Sequence, residues 1–135
     1  KLIVVVGGIG EANTKKNLEY IYTYFDISKA INLGIAGSSD KNIAIGELFC
    51  TNRTLVGIET IMLQTVALPQ IDSGKGTILY DMEGEHFLAI SHNYLKEEDI
   101  FIFKVVSDHL DDTILPKDQV KKLILDNLGK IEQWN

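Results

Sequence analysis

The chain has 135 residues, of which 45% are hydrophobic and 24% are charged, and its formal net charge is −6. These values are typical of one globular domain with a hydrophobic core and exclude a disordered chain. The acidic balance argues against nucleic acid as a partner. No apolar run reaches the ~20 residues of a membrane span. The single cysteine, Cys50, cannot form an intrachain disulfide, which fits a cytoplasmic location.

The first half of the chain predicts strands around one helix. Residues 2–6 form a continuous apolar run, typical of a strand buried on both faces. Apolar residues at helical spacing predict a helix over residues 12–25, and residues 30–33 predict the next strand. Together they predict a right-handed β-α-β unit with parallel strands. Further strands are predicted over residues 43–50, 55–57 and 60–68.

The second half continues the alternation. After a polar connection over residues 69–76, the pattern predicts a strand at 77–80, a helix at 83–95 and a buried strand at 100–106. Pro116 opens a final helix, since proline is tolerated in a first helical turn. This order predicts the α/β class: a single three-layer α/β/α domain over residues 1–135 with a mixed central sheet.

Glycines follow the first predicted strand, in the run Gly7-Gly8-Ile9-Gly10. Glycines here let the backbone approach a ligand, and the following helix N-terminus favours an anion. The dinucleotide fingerprint needs Gly or Ala where this chain has Asn13. The motif therefore predicts a tight turn more readily than a phosphate cradle.

Polar residues stand at three further strand ends. Gly34-Ile35-Ala36-Gly37-Ser38 is either a simple turn or a place where a flat ring fits. Asp81-Met82-Glu83 is explained by helix capping and the helix dipole, or by ligand binding. Ser107-Asp108 is a cap or turn, or a functional acid. A metal site from Asp108, His109, Asp111 and Asp112 lacks a recognised ligand spacing, so no metal is predicted.

In their order along the chain, three of these segments resemble motifs of the nucleoside phosphorylase and nucleosidase superfamily: Leu33-Gly34-Ile35-Ala36-Gly37, Asp81-Met82-Glu83-Gly84 and Phe103-Lys104-Val105-Val106-Ser107-Asp108. The nearest branch is the 5′-methylthioadenosine/S-adenosylhomocysteine nucleosidases. The resemblance implies a phosphorylase/hydrolase-like fold, cleavage of a purine nucleoside, and no cofactor. Family members begin with another strand and a water-activating glutamate, and no residue here matches that segment. We therefore expect an N-terminally incomplete or short member.

The resemblance also implies roles for individual residues. Asp108 matches the aspartate that protonates N7 of the leaving purine, which makes the base a neutral leaving group. Met82 would pack on the ribose, and Glu83 would accept hydrogen bonds from its 2′- and 3′-hydroxyls. Lys104 stands where the nucleosidases carry an arginine near the water. The remaining implied substrate-binding positions are Ser107, Ala36, Gly37 and Gly8.

Three functions follow as hypotheses. A nucleosidase is favoured, because Gly7 and Ile35 stand where hydroxyl side chains of the family would hold phosphate. The alternatives are a purine nucleoside phosphorylase and a catalytically inactive nucleoside-binding or structural domain. The expected partner is a small nucleoside, with no nucleic acid and no membrane. A homodimer is also expected, because aromatic residues crowd the first helix: Tyr20, Tyr22, Tyr24 and Phe25.

Overall fold

The architecture follows from a computed structural model that describes residues 1–68, 76–111 and 115–134. Within these ranges the helices are α1 (Glu11–Tyr24), α2 (Gly84–Ser91) and α3 (Lys117–Ile131). The strands are β1 (Ala30–Ser38), β2 (Leu48–Cys50), β3 (Glu59–Thr60), β4 (Met62–Thr65), β5 (Ile78–Asp81) and β6 (Ile100–Asp108). Short 3-10 turns lie at Glu97–Asp99 and Glu132–Trp134. None of the described helices is long and apolar enough to cross a membrane.

The described strands form one mixed sheet in the order β3-β2-β6-β1-β5-β4. Its centre is the parallel pair β1 and β6, which runs from Ala30 opposite Ile100 to Ala36 opposite Val106. A register shift follows, so that Gly37 pairs with Asp108. Strands β2 and β5 run antiparallel to their central neighbours. The predicted mixed sheet is confirmed, and the register shift re-aims the ends of both central strands.

Side chains alternate along β6 between two helical layers. Phe101, Phe103 and Val105 pack in a cluster with Ile131 of α3. Ile100 and Ile102 pack instead against residues of α1 and α2, among them Leu18 and Phe87. Burying each such side chain contributes roughly 1.5–3 kcal/mol. The three-layer α/β/α prediction is therefore confirmed, and Lys104 follows Ile102 on the face toward α1 and α2.

The strand predicted over residues 2–6 is wrong. The segment has no strand assignment, and Leu2 and Val6 are 67% and 94% exposed. An apolar run becomes a strand only when another strand completes its hydrogen bonds. Over residues 30–36, β1 pairs with β6, and its other edge has no strand partner among the described residues. The predicted β-α-β unit is consequently not formed.

Several predicted elements are shorter in the structure. Residues 43–50 form a strand only at β2, because the chain first turns through Gly46, whose φ is 93°. The strand at 55–57 is reduced to an isolated bridge between Leu55 and Ile58, and residues 60–68 contribute only β3 and β4. The helix predicted over 83–95 ends at Ser91. Most of the predicted 69–76 connection lies outside the described residues.

Candidate active site

A cavity of about 550 Å³ lies between α1, α2 and the unpaired edge of β1. This volume is within the usual range for small-molecule sites. The described side chains on its wall are mostly apolar, and the charged ones are Lys29, Glu83 and Lys104. Gly7, Gly8 and Gly34 also line it, which brings backbone close to the enclosed space. The structure thus brings together three sequence-predicted residues: Gly8, Glu83 and Lys104.

Glu83 is held by a contact that spans the chain. Its carboxylate Oε1 accepts a hydrogen bond of 3.0 Å from the backbone N–H of Gly10, which is the N-cap of α1. Gly10 has φ +88°, a left-handed conformation that favours glycine. The positive end of the α1 dipole also favours a carboxylate there. The glycine turn therefore binds a carboxylate of the protein itself.

Lys104 is a buried cation with a buried partner. Its Nζ lies 2.8 Å from Asp81 Oδ2, and the two side chains are only 2% and 0% exposed. The ammonium reaches the cavity wall beside Gly34, where a Cβ would lie 3.2 Å from Nζ. A buried charge of this kind requires a compensating charge. Asp81 supplies it.

Asp81 is itself fixed by two hydrogen bonds besides the ion pair. Its Oδ2 accepts from the N–H of Gly84, the first residue of α2, at 2.7 Å. Its Oδ1 accepts from the Thr65 hydroxyl at 2.6 Å. The prediction that Asp81 is the N-cap is wrong, because the N-cap of α2 is Glu83; Asp81, two residues earlier, nevertheless accepts from the first amide of the helix. Sequence reasoning missed the ion pair with Lys104, because β5 and β6 are distant along the chain.

A second group of predicted residues lies at the adjoining ends of β1 and β6. Asp108 accepts hydrogen bonds from the Ser107 hydroxyl at 2.7 Å and from the Leu110 N–H at 2.9 Å. Gly37 makes room for it, since a Cβ there would lie 2.6 Å from Asp108 Oδ1. Ala36 is buried next to Gly37. These four predicted residues (Ala36, Gly37, Ser107 and Asp108) are close together.

The strand-end group is separate from the described cavity wall, which includes none of its four members. Along β6, Lys104 and Asp108 are four residues apart, or about 13 Å at the usual strand rise. Met82 is half-buried between Asp81 and Glu83 and does not line the cavity either. The structure therefore presents two neighbouring groups, joined by β6.

Comparison with known proteins gives a match in structure alone. No family model matches the sequence, and no curated protein matches it. Among solved structures, an MTA nucleosidase (MTAN) from Chlamydia trachomatis is 18% identical, with a TM-score of 0.65 over 93% of this chain and 68% of that chain. A structure of the same protein bound to MTA gives a TM-score of 0.62, at 18% identity and the same coverage of both chains. The futalosine hydrolase of Helicobacter pylori is 12% identical, with a TM-score of 0.63 over 95% of this chain and 72% of that chain.

The chain has the nucleosidase fold. This confirms the predicted resemblance at the level of architecture, and the roles assigned to individual residues stay predictions. The resemblance placed the residues of both groups at strand ends, where open α/β sheets usually bind ligands. In the nucleosidase fold of this chain, those strand ends carry the Glu83 and Asp108 groups.

Two further residues of the nucleosidase-fold cavity, Tyr22 and Asn32, were not among the predicted site residues. Tyr22 stacks on Tyr94 with ring centres 4.3 Å apart and donates its hydroxyl to Ser91 Oγ at 2.7 Å. Burial raises the pKa of Tyr22 above its usual value, so the phenol stays neutral. Asn32 Oδ1 is buried without a hydrogen-bond partner among the described residues, and Asn32 lines the cavity. In the sequence, nothing distinguished the tyrosine of an aromatic repeat or the asparagine of a strand from residues that only pack in a core.

The sequence predicted no metal site in the acidic loop after β6. His109 Nε2 lies 2.7 Å from the carbonyl oxygen of Ile43, and Asp112 lies outside the described residues. The part of the chain that the structure describes contains no group of three or more His, Cys, Asp or Glu side chains placed to hold a metal ion.

Proposed function

We propose that the protein is a purine nucleoside N-ribosyl hydrolase. The observation that carries the proposal is the Glu83 carboxylate on the wall of a cavity of nucleoside size, which Lys104 also lines. The nucleosidase fold supports it, and so do the solved relatives: MTAN structures contain MTA or adenine. Methylthioadenosine is accordingly the first substrate to test.

The ribose would bind at the Glu83 end. A carboxylate has two oxygens that suit two vicinal hydroxyls. Among the described residues, Oε1 of Glu83 accepts one backbone N–H, and the carboxylate can accept further hydrogen bonds from the hydroxyl groups of a ligand. Met82, adjoining Glu83, would pack on the sugar. Gly8 would let the ligand approach the backbone closely, because it has no side chain.

The base would lie toward the strand-end group. Asp108 would deliver a proton to N7 while the bond between the sugar and the purine breaks and its electron pair moves to the base. The oxygen of a water molecule would bond to the anomeric carbon and pass its proton to solvent water. The Ser107 hydroxyl, which donates to Asp108, would orient its carboxyl, and Ala36 and Gly37 would lie beside the flat ring. Lys104 would orient the water.

The described cavity wall offers no second carboxylate that could accept the proton of the attacking water. Glu83 is the only carboxylate on the described cavity wall, and the proposal uses it for the ribose. This observation favours a second candidate, a nucleoside-binding domain without activity. Binding without release of base would distinguish it from the hydrolase.

We further propose that residues 1–135 form a single domain to which the family's additional strand can be added. The edge of β1 over residues 30–36 has no strand partner among the described residues, so a further strand can pair there and would take up part of the cavity along that edge. Such a strand could carry the water-activating glutamate that the resemblance implies. A polypeptide in which such a strand and its glutamate are joined to residues 1–135 would be more active than residues 1–135 alone. Equal activity of the two would contradict this arrangement.

A cytoplasmic homodimer completes the proposal. Tyr20 and Tyr24 are exposed and lie against each other, with ring centres 4.8 Å apart, next to the exposed Val4 and Val6. Exposed aromatic and aliphatic side chains are typical of interface cores. Light scattering at micromolar concentration tests it. A mass near 15.1 kDa would contradict a stable dimer.

The function is tested by release of free base from methylthioadenosine, S-adenosylhomocysteine, adenosine and inosine, each with and without phosphate. We expect release from at least one substrate in both buffers. Asp108→Asn serves as the inactive control, and Asp126→Asn, an exposed aspartate on α3, as the matched active one. Calorimetric binding of a nucleoside with no release would replace the hydrolase by the binding domain.

A further inference from the structure

Two elements at the Glu83 end of the cavity are of the kind that binds anions. One is the Lys104 ammonium, and the other is the N-terminus of α1. Cationic side chains and helix N-termini are the usual phosphate ligands of proteins. In this chain, each already contacts a carboxylate of the protein. These carboxylates therefore oppose the binding of an anion, which is the ligand that the two elements would otherwise attract.

The first element, Lys104, is neutralised by Asp81 at 2.8 Å. Asp81 cannot turn away freely, because the Gly84 N–H and the Thr65 hydroxyl hold both of its oxygens. Thr65 in turn accepts a hydrogen bond from the Glu85 N–H at 2.8 Å. The negative partner of Lys104 is therefore fixed by β4 and α2 together.

The second element, the α1 N-terminus, is occupied by Glu83 through the Gly10 N–H at 3.0 Å. Counting Lys104, Asp81 and Glu83, this end carries one positive and two negative groups. The other charged residue of the described wall, Lys29, stands five positions before Gly34 on the chain, about 16 Å away in an extended strand. Lys29 also donates to the Trp134 carbonyl at 2.8 Å.

We propose that Asp81 is a specificity-determining residue: by neutralising Lys104, it excludes inorganic phosphate from the cavity and reserves the space for a neutral nucleoside and water. The inference deepens the proposed function and rests on it for the identity of the ligand. The exclusion of phosphate itself is a binding property, so it can be measured whether or not the protein cleaves a nucleoside.

The test is calorimetric titration of the protein with inorganic phosphate. We expect no saturable binding to the unmodified chain. Asp81→Asn keeps the size of the side chain and removes the charge, and we expect phosphate affinity to rise about tenfold or more, the effect of one charged hydrogen bond. Thr65→Val is the matched control, because it removes one hydrogen bond to Asp81 and leaves the charge, so it should gain no affinity.

The double variant Asp81→Asn with Lys104→Met shows whether the gain depends on Lys104, and we expect it to abolish the gain. If Asp81→Asn does not fold, as judged by circular dichroism, Asp81→Ser decides, since it also removes the negative charge that faces Lys104 and should also admit phosphate. Folded variants that bind phosphate no better than the unmodified chain overturn the proposal. Absence of nucleoside cleavage by the unmodified chain would instead count against the proposed function.

Discussion

Glu83 and Asp108 both lie where a strand of the central sheet meets a loop or helix, yet different contacts hold their carboxylates. Asp108 is bonded to its neighbours Ser107 and Leu110. Glu83 is bonded to Gly10, which is 73 residues away. One acid is set by its own loop, and the other joins two helices. Two carboxylates at similar positions, each at a strand end, therefore depend to different degrees on the rest of the fold.

The comparison predicts different consequences when each acid loses its charge. Asp108 needs only local geometry, so its replacement should change chemistry and leave the ligand in place. Glu83 links the glycine turn to α2, so its replacement should change how ligand and turn are held together. Four measurements separate these cases.

Asp108→Asn has the largest expected effect. The amide keeps the shape, and its oxygen can accept one of the two local hydrogen bonds, but it cannot deliver a proton, so cleavage should fall by ~10²–10⁴. Nucleoside affinity measured by calorimetry should be nearly unchanged. Asp126→Asn controls for loss of an aspartate elsewhere. Near-full turnover of the Asp108 variant on a verified substrate would remove Asp108 from the chemistry.

Glu83→Gln should weaken ribosyl ligands by roughly 1.5–3 kcal/mol, the contribution of a charged hydrogen bond. Adenosine should lose affinity in calorimetry, whereas free adenine should change little, because the contact is to sugar hydroxyls. Glu19→Gln, an exposed glutamate of α1, is the matched control. Equal losses for nucleoside and base would show that Glu83 only links the glycine turn to α2.

Gly37→Ala tests how tightly the Asp108 loop is packed. The new Cβ would lie 2.6 Å from both Asp108 Oδ1 and Leu110 Cδ2, so the loop must shift. We expect a loss of about 1–3 kcal/mol in the free energy of unfolding, together with slower cleavage. Gly129→Ala, with no atom within 4 Å of its Cβ, is the control and should stabilise α3 by ~0.5–1 kcal/mol. Similar denaturation midpoints for the two variants would show that the Asp108 loop is loose.

The smallest expected effect is that of phosphate on the release of base by the unmodified chain. Gly7 and Ile35 offer no hydroxyl, and the formal net charge of −6 does not attract an anion. The rate of base release should be the same in phosphate and in a buffer without it, and no ribose 1-phosphate derivative should form. Its appearance would identify the chain as a phosphorylase.

The parts of the site that sequence predicted are those that depend on neighbouring residues. Asp108 follows Ser107 at the end of a run that is apolar except for Lys104, and Asp81 stands three residues before the first amide of α2. The contacts that join Lys104 to Asp81 and Gly10 to Glu83 could not be predicted in this way. They depend on sheet order and helix packing, which bring distant segments together.

The apolar runs at residues 2–6 and 100–106 show where the limit lies. Both patterns predict a buried strand, and the sequence by itself determined that each segment is extended and apolar. Only the tertiary structure decided that β6 is buried between β1 and β2 while residues 2–6 stay unpaired and largely exposed. The physical reason is that backbone hydrogen bonds of a strand are completed by another strand, whose presence no local pattern encodes.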